Sequence, residues 1–161
     1  MPRADPGGTP ATVALTAAGI SFTTHAYDHD SSARSFGLEA AEVLGLPAEQ
    51  VFKTLLVDTG TGLAVGIVPV SSSLDLKAIA AALRVKKVEM ADPRAAERST
   101  GYVVGGISPI GQKRPLPTVL DETADLYETV YVSGGRRGFD IGLSPGDLIS
   151  STGATVADIA R

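Results

Sequence analysis

Glycine and proline punctuate this chain densely enough to imply many turns between short elements. Its 161 residues hold 18 Gly and 10 Pro, and each such residue tends to turn the chain or end the element beside it. The expected products are short helices and short strands joined by tight turns. A chain of this length suits one compact domain, since domains commonly run to about 100–150 residues. Hydrophobic residues make up 43% and charged residues 20%, a globular rather than a disordered balance. Aromatics are only 5% and Trp is absent, so the core must be built from Val, Leu, Ile and Ala.

Several chemistries are excluded early. With no cysteine in the sequence, disulfides, thiolate metal sites and a cysteine nucleophile are all ruled out. With only two histidines in the sequence, a Ser-His-Asp triad is possible but unsupported. Residues 1–10 lack the apolar centre of a signal peptide, and no apolar run nears the roughly 20 residues of a membrane helix. A cytoplasmic protein without a membrane partner is the expectation. The net charge of −4 argues against strong autonomous nucleic-acid binding, which calls for a dense basic surface. Three basic clusters stand out on this acidic chain: Arg84 with Lys86 and Lys87, Lys113 with Arg114, and Arg136 with Arg137. Each is accounted for by solvated charge, yet together they leave room for a local phosphate-facing patch.

Residues 1–8 read as a disordered Gly/Pro-rich tail, and 9–161 as a single domain. Thr9-Pro10 is a hydroxyl cap followed by Pro at the first helical position, predicting a helix that carries Val13, Leu15 and Ala18 and stops at Gly19. Residues 20–27 alternate as a strand. A short helix is expected over 38–44, and strands over 51–58 and 63–70 around the Gly60-Thr61-Gly62 turn. Residues 75–83 read as a helix with Leu76, Ile79, Ala80 and Leu83 inward. Further strands fall at 85–90, 118–121, 129–133 and 139–143, with a short helix opening at Asp92-Pro93. Ser144-Pro145-Gly146-Asp147 resembles a capping box that opens a last helix. Interleaved hairpins and helices favour an α/β (mixed α+β) fold around a curved, barrel-like mixed sheet over a doubly wound parallel one.

Lys53 is the most informative single residue. It shares a strand face with Val51, Leu55 and Val57, so its amine must either snorkel to water or meet a partner. Desolvation there would lower its pKa and suit it to chemistry; from the pattern alone, a strand-end lysine with its head in water is the stronger reading. His25, Asp28, His29 and Asp30 form a tempting metal cluster, but the i, i+4 histidine spacing suits a helix whereas this segment reads as a strand running into a loop, and no further His or Cys completes a shell. No metal and no cofactor is expected. The stretch from Gly101 to Gly111 carries Gly105-Gly106 and Pro109. Paired glycines permit close backbone approach to a ligand, and such a loop can offer N–H donors to a carbonyl or oxyanion; an irregular surface loop explains it equally well. Ser133-Gly134-Gly135-Arg136-Arg137 leads into an apolar strand that holds Asp140, a carboxylate placed to meet Lys53 or a substrate amine. The bland alternative is a turn with solvated arginines. The residues thus offer polar site groups and no evident nucleophile.

Longer runs carry a resemblance: Val51-Phe-Lys-Thr-Leu-Leu-Val57, Leu74-Asp-Leu-Lys77, Lys86-Lys-Val-Glu-Met-Ala-Asp-Pro93, the whole segment Arg98 to Lys113, Leu116-Pro-Thr118 and Tyr131-Val-Ser-Gly-Gly-Arg136. With these runs, which span nearly the whole chain, the sequence resembles the YbaK family of Cys-tRNA(Pro) deacylases, relatives of the editing domain inserted in prolyl-tRNA synthetases. The resemblance implies hydrolytic clearance of mischarged tRNA(Pro) in trans. It places the family's essential lysine on Lys53, followed by Thr54, its pocket residues on Tyr27, Phe36, Ser133 and Asp140, and its Gly-x-x-x-Pro loop on Gly105, Gly106, Ser108 and Pro109. It also explains the missing nucleophile, because in such enzymes the substrate's own cysteine thiol attacks its ester carbonyl and leaves as a thiolactone. Prolyl-tRNA synthetase is the implied docking partner. Two other readings remain open: a deacylase of another misacylated tRNA such as Ala-tRNA(Pro), and a non-catalytic module that binds tRNA or the synthetase. A metal-dependent hydrolase built on His25 and His29 is the weakest.

Overall fold

The structure, a computed structural model, describes residues 8–30, 32 and 35–161. The proposed tail lies outside the described residues up to position 7. Five short helices and eight short strands follow in the order α1 (Pro10–Ala17), β1 (Thr23–Ala26), α2 (Phe36–Leu44), β2 (Phe52–Asp58), β3 (Leu63–Pro69), α3 (Leu76–Ala82), β4 (Glu89–Met90), α4 (Pro93–Thr100), β5 (Thr118–Asp121), β6 (Val130–Arg136), β7 (Phe139–Leu143), α5 (Pro145–Thr152) and β8 (Thr155–Ala157). No helix among the described residues is long and apolar enough to cross a membrane.

The strands form two open sheets. One is antiparallel, in the order β1-β7-β6; the other is mixed, in the order β4-β2-β3-β5-β8. In the mixed sheet β4, β2 and β3 run antiparallel, whereas β3, β5 and β8 run parallel. A parallel bridge between Val51 and Tyr131 links the sheets where β2 begins. The expected mixed α/β architecture is present, with its strands divided between two sheets instead of closing into a barrel.

Packing follows from strand alternation. The main core lies between the sheets and joins Phe52 and Leu56 of β2 to Val65, Ile67, Leu120, Val132, Phe139 and Ile141, closed by Leu15 and Leu148 from α1 and α5. Each of these large side chains contributes roughly 1.5–3 kcal/mol by leaving water. The opposite face of the mixed sheet sends Val57, Ala64, Val68 and Val119 against Ile79 and Ala80 of α3. A third, small cluster seats α2 through Ala40 and Ala41 on Val51 and Val70.

Two local differences from the sequence reading have simple causes. Helix α1 turns Ala11, Thr12 and Leu15 inward and leaves Val13 57% exposed, with Ala18 also outward. Its orientation is set at its start: Thr9 and Thr12 cap each other reciprocally, and the Thr9 hydroxyl also donates to Gly134 O on β6. The strand expected over 85–90 shrinks to Glu89–Met90, because α3 runs straight into a turn in which Val85 N–H donates to Ala80 O at 3.0 Å.

Candidate active site

A cavity of about 350 Å³ opens where the two sheets meet. Strand β2 contributes Phe52 to Leu56, including Lys53 and Thr54. The end of β1 contributes Tyr27, and α2 contributes Phe36, Gly37 and Ala40. Val104, Gly105 and Ile107 enter from the Gly-rich loop, and Ser133 and Asp140 from the β6–β7 hairpin. Seven residues expected at the site therefore converge on one cavity: Tyr27, Phe36, Lys53, Thr54, Gly105, Ser133 and Asp140. Gly106, Ser108 and Pro109 do not line it. All three are buried, and the Ser108 hydroxyl accepts from Ile110 N–H at 3.2 Å inside the loop itself. A Cβ at Gly106 would come within 2.6 Å of Arg136 Cα, so this glycine serves close packing of the loop on the hairpin.

The polar side chains of the cavity are under-paired. The Thr54 hydroxyl is buried and has no hydrogen-bond partner among the described residues. Asp140 is only 6% exposed. It lies between Ser133 of β6 and His25 of β1 in the sheet register, and burial pushes its carboxyl up to about 7. Burial likewise holds the Lys53 amine below its ordinary value. Tyr27 is raised, first by burial and then by the charges of Asp140 and Glu39. Among the described residues the one ion pair joins His29 Nδ1 to Glu39 Oε1 at 2.7 Å, so neither Lys53 nor Asp140 has an opposite charge within bonding reach. An unpaired buried polar group costs about 1–3 kcal/mol, and such groups cluster where a ligand is to be held.

The Gly-rich loop is fixed from several sides. Val104 N–H donates to Glu97 Oε2 at 2.8 Å, and the Tyr102 hydroxyl donates to Ile110 O at 2.7 Å. Gly105 sits at φ +89°, against the Phe36 ring. The Phe36 ring in turn lies 5.2 Å from the His29 ring and 5.2 Å from the Arg137 guanidinium. The two histidines of the His25–Asp30 segment make other contacts: His25 Nε2 bonds the Thr23 hydroxyl at 2.8 Å, and His29 bonds Glu39 and lies against the Phe36 ring. Among the described residues no three His, Asp or Glu side chains gather as ligands.

Sequence reasoning missed the apolar wall of the cavity, made by Leu56, Met90, Ala91, Pro93, Ala96 and Ile107. It also missed Glu97 as an anchor of the loop. Neither has a signal in the sequence, since their roles depend on how α4 lies across β2.

The aminoacyl-tRNA editing domain family model matches residues 31–150. The chain belongs to that family. As an editing domain it is of the YbaK/EbsC type. A 120-residue stretch is 44% identical to a protein of Enterococcus faecalis (strain ATCC 700802 / V583) named "Putative Cys-tRNA(Pro)/Cys-tRNA(Cys) deacylase EbsC", covering 74% of this chain and 73% of that one. A crystal structure of "a putative trans-editing enzyme for prolyl tRNA synthetase" superimposes with a TM-score of 0.82 at 27% identity, over 98% of this chain and 99% of that chain. The crystal structure of "hypothetical protein APE2540" gives a TM-score of 0.85 at 26% identity, over 95% of this editing domain and 100% of that chain. The matched span includes Phe36, Lys53, Gly105, Ser133 and Asp140 but stops short of Tyr27 and α1, which the fold brings to the same cavity and to its supporting loop.

Proposed function

We propose that this editing domain is an aminoacyl-tRNA deacylase that clears cysteine mischarged onto tRNA(Pro), with residues 9–161 acting as one unit. The observation that carries this reading is the cavity itself: Lys53, Thr54 and Asp140 face about 350 Å³ of space, and the Thr54 hydroxyl there lacks an internal partner. The cysteine assignment draws support from the name of the Enterococcus relative.

In the proposed reaction the substrate thiol, and no side chain of the protein, supplies the nucleophile. Its sulfur bonds to the ester carbonyl carbon, the bond from that carbon to the terminal ribose oxygen breaks, and the thiol proton passes to the departing oxygen. The products are a thiolactone, later opened by water, and free tRNA. Lys53 and the Gly105 backbone orient the carbonyl and the ribose, while Asp140 and Ser133 hold the amino group. Tyr27, Phe36 and Thr54 form the pocket wall. Holding the thiol against the carbonyl supplies most of the rate, since good orientation can be worth about 7–11 kcal/mol of barrier. Prolyl-tRNA synthetase is the proposed docking partner that lends tRNA identity, which a chain of net charge −4 cannot read strongly alone.

The test is release of labelled amino acid from Cys-tRNA(Pro), Ala-tRNA(Pro) and Pro-tRNA(Pro) by wild type and Lys53→Ala. The proposal expects clearance of the cysteinyl substrate alone and an inactive variant. Equal clearance of alanine would make water the nucleophile. A Lys53→Ala protein at the wild-type rate would remove Lys53 from the centre of the site.

A further inference from the structure

Arg137 touches the cavity wall twice without lining the cavity. Its Nε–H donates to Val104 O at 2.9 Å, and its guanidinium carbon lies 5.2 Å from the centre of the Phe36 ring. Both Val104 and Phe36 line the cavity. The backbone beneath is equally constrained, since a Cβ on Gly106 would come within 2.8 Å of Arg137 N. This exposed arginine is therefore held at the rim by a hydrogen bond and a ring contact, where a surface arginine would ordinarily sample many rotamers.

What the side chain is held for follows from what it leaves free. One N–H is committed to Val104, and the remaining donors of the guanidinium have no carboxylate among the described residues. A fixed, unneutralised guanidinium fork matches the geometry of a phosphate. From this placement we infer that Arg137 binds the phosphodiester next to the terminal adenosine of the RNA whose 3′ end enters the cavity. The inference rests on the deacylase reading for the identity of that RNA, and it adds a phosphate subsite at the cavity rim. Its neighbour Arg136 is spent differently, with its guanidinium 4.4 Å from the Phe139 ring.

The experiment measures equilibrium binding of two probes, the trinucleotide CpCpA and adenosine alone, to wild type, Arg137→Gln and Arg137→Lys, with thermal melts to confirm folding. Arg137→Gln is expected to weaken CpCpA binding about tenfold, the size of one charge-assisted phosphate contact, and to leave adenosine binding unchanged. The slope of log affinity against log salt for CpCpA should fall by about 0.7 in Arg137→Gln, the share of one phosphate on a single strand. It should stay near the wild-type value in Arg137→Lys, which keeps the charge. Equal weakening of both probes would mean that Arg137 acts only by holding Val104 and Phe36, and would overturn the inference. CpCpA binding within twofold of wild type, with the slope unchanged, would overturn it too. Deacylation of Cys-tRNA(Pro) by wild type is assayed beside these titrations. A protein that binds CpCpA through Arg137 yet deacylates nothing contradicts the proposed function and leaves the phosphate subsite standing.

Discussion

Gly105 lies against the ring of Phe36 so closely that a Cβ on it would come within 2.7 Å of Phe36 Cζ. The same residue sits at φ +89°, where an L side chain is strained by roughly 1–2 kcal/mol. Two independent requirements thus exclude a side chain at one point of the cavity wall. Gly105→Ala must either push the Phe36 ring off its place between His29 and Arg137 or move the loop.

The expected outcome for Gly105→Ala is a loss of about 2–4 kcal/mol in urea unfolding, strain and overpacking together. Deacylation should fall at least about 100-fold in kcat/KM, because sub-ångström displacement of positioning groups is costly. A variant with kcat/KM within threefold of wild type would show that the loop backbone does not orient the substrate.

Thr54 permits a test in which stability and activity move in opposite directions. Its hydroxyl is buried without a partner among the described residues, so the unliganded protein carries a desolvation cost there. Thr54→Val keeps the shape and removes that group. Unfolding free energy should rise by about 1 kcal/mol, while kcat/KM falls about tenfold through loss of a substrate hydrogen bond. If both stability and activity fall, the hydroxyl serves the fold and not the ligand.

Asp121 ties the C-terminal end to the mixed sheet. It is fully buried; its Oδ1 accepts from Ile159 N–H and Ala160 N–H at 2.9 Å each, and its Oδ2 accepts from Thr123 N–H at 3.2 Å and from the Thr123 hydroxyl. Asp121→Asn places an amide NH₂ against donors on one side. A loss of about 2–4 kcal/mol is expected, read by urea unfolding, with faster hydrogen exchange at the Ile159 and Ala160 amides. Activity per folded molecule should not change, since Asp121 does not line the cavity.

These positions divide by what a sequence can reveal. Helix α1 was legible from Thr9-Pro10, and β2 and β3 from alternation around the Gly60–Gly62 turn, because caps and periodicity are local. Lys53 was conspicuous because a cation stood on an apolar strand face. The face α1 buries was misread, because Thr9 also bonds Gly134 far along the chain. Strand β8 and the 3-10 turn Glu122–Leu126 left no readable pattern; β8 is a three-residue edge strand held by pairing with β5 and by Asp121. The apolar wall at Met90, Ala91, Pro93 and Ala96 was equally hidden, since a short β4 and an exposed α4 look ordinary until they are laid across β2. Arg137 read as solvated charge because nothing local announces a bond to Val104, 33 residues away.

The pH dependence of the site should turn on Asp140. Burial raises its carboxyl from the ordinary 3.8 to about 7. Between those values the folded chain keeps a proton that the unfolded chain has released. Stability from this group is therefore complete below about pH 4 and is lost as pH rises through about 7. Asp140→Asn is neutral throughout and removes this dependence. Measured by urea unfolding from pH 4 to 8, the variant should gain on wild type as pH rises, by at most about 4 kcal/mol, the value of roughly three pKa units. Activity should run the other way. The ionised carboxylate is the form that holds a substrate ammonium, so wild-type kcat/KM should climb through about pH 7, and the Asn variant should stay low and lack that rise. Parallel stability curves for the two proteins would mean that Asp140 is ionised at ordinary cost inside the fold. Matching pH–rate profiles would mean that its charge has no part in the reaction.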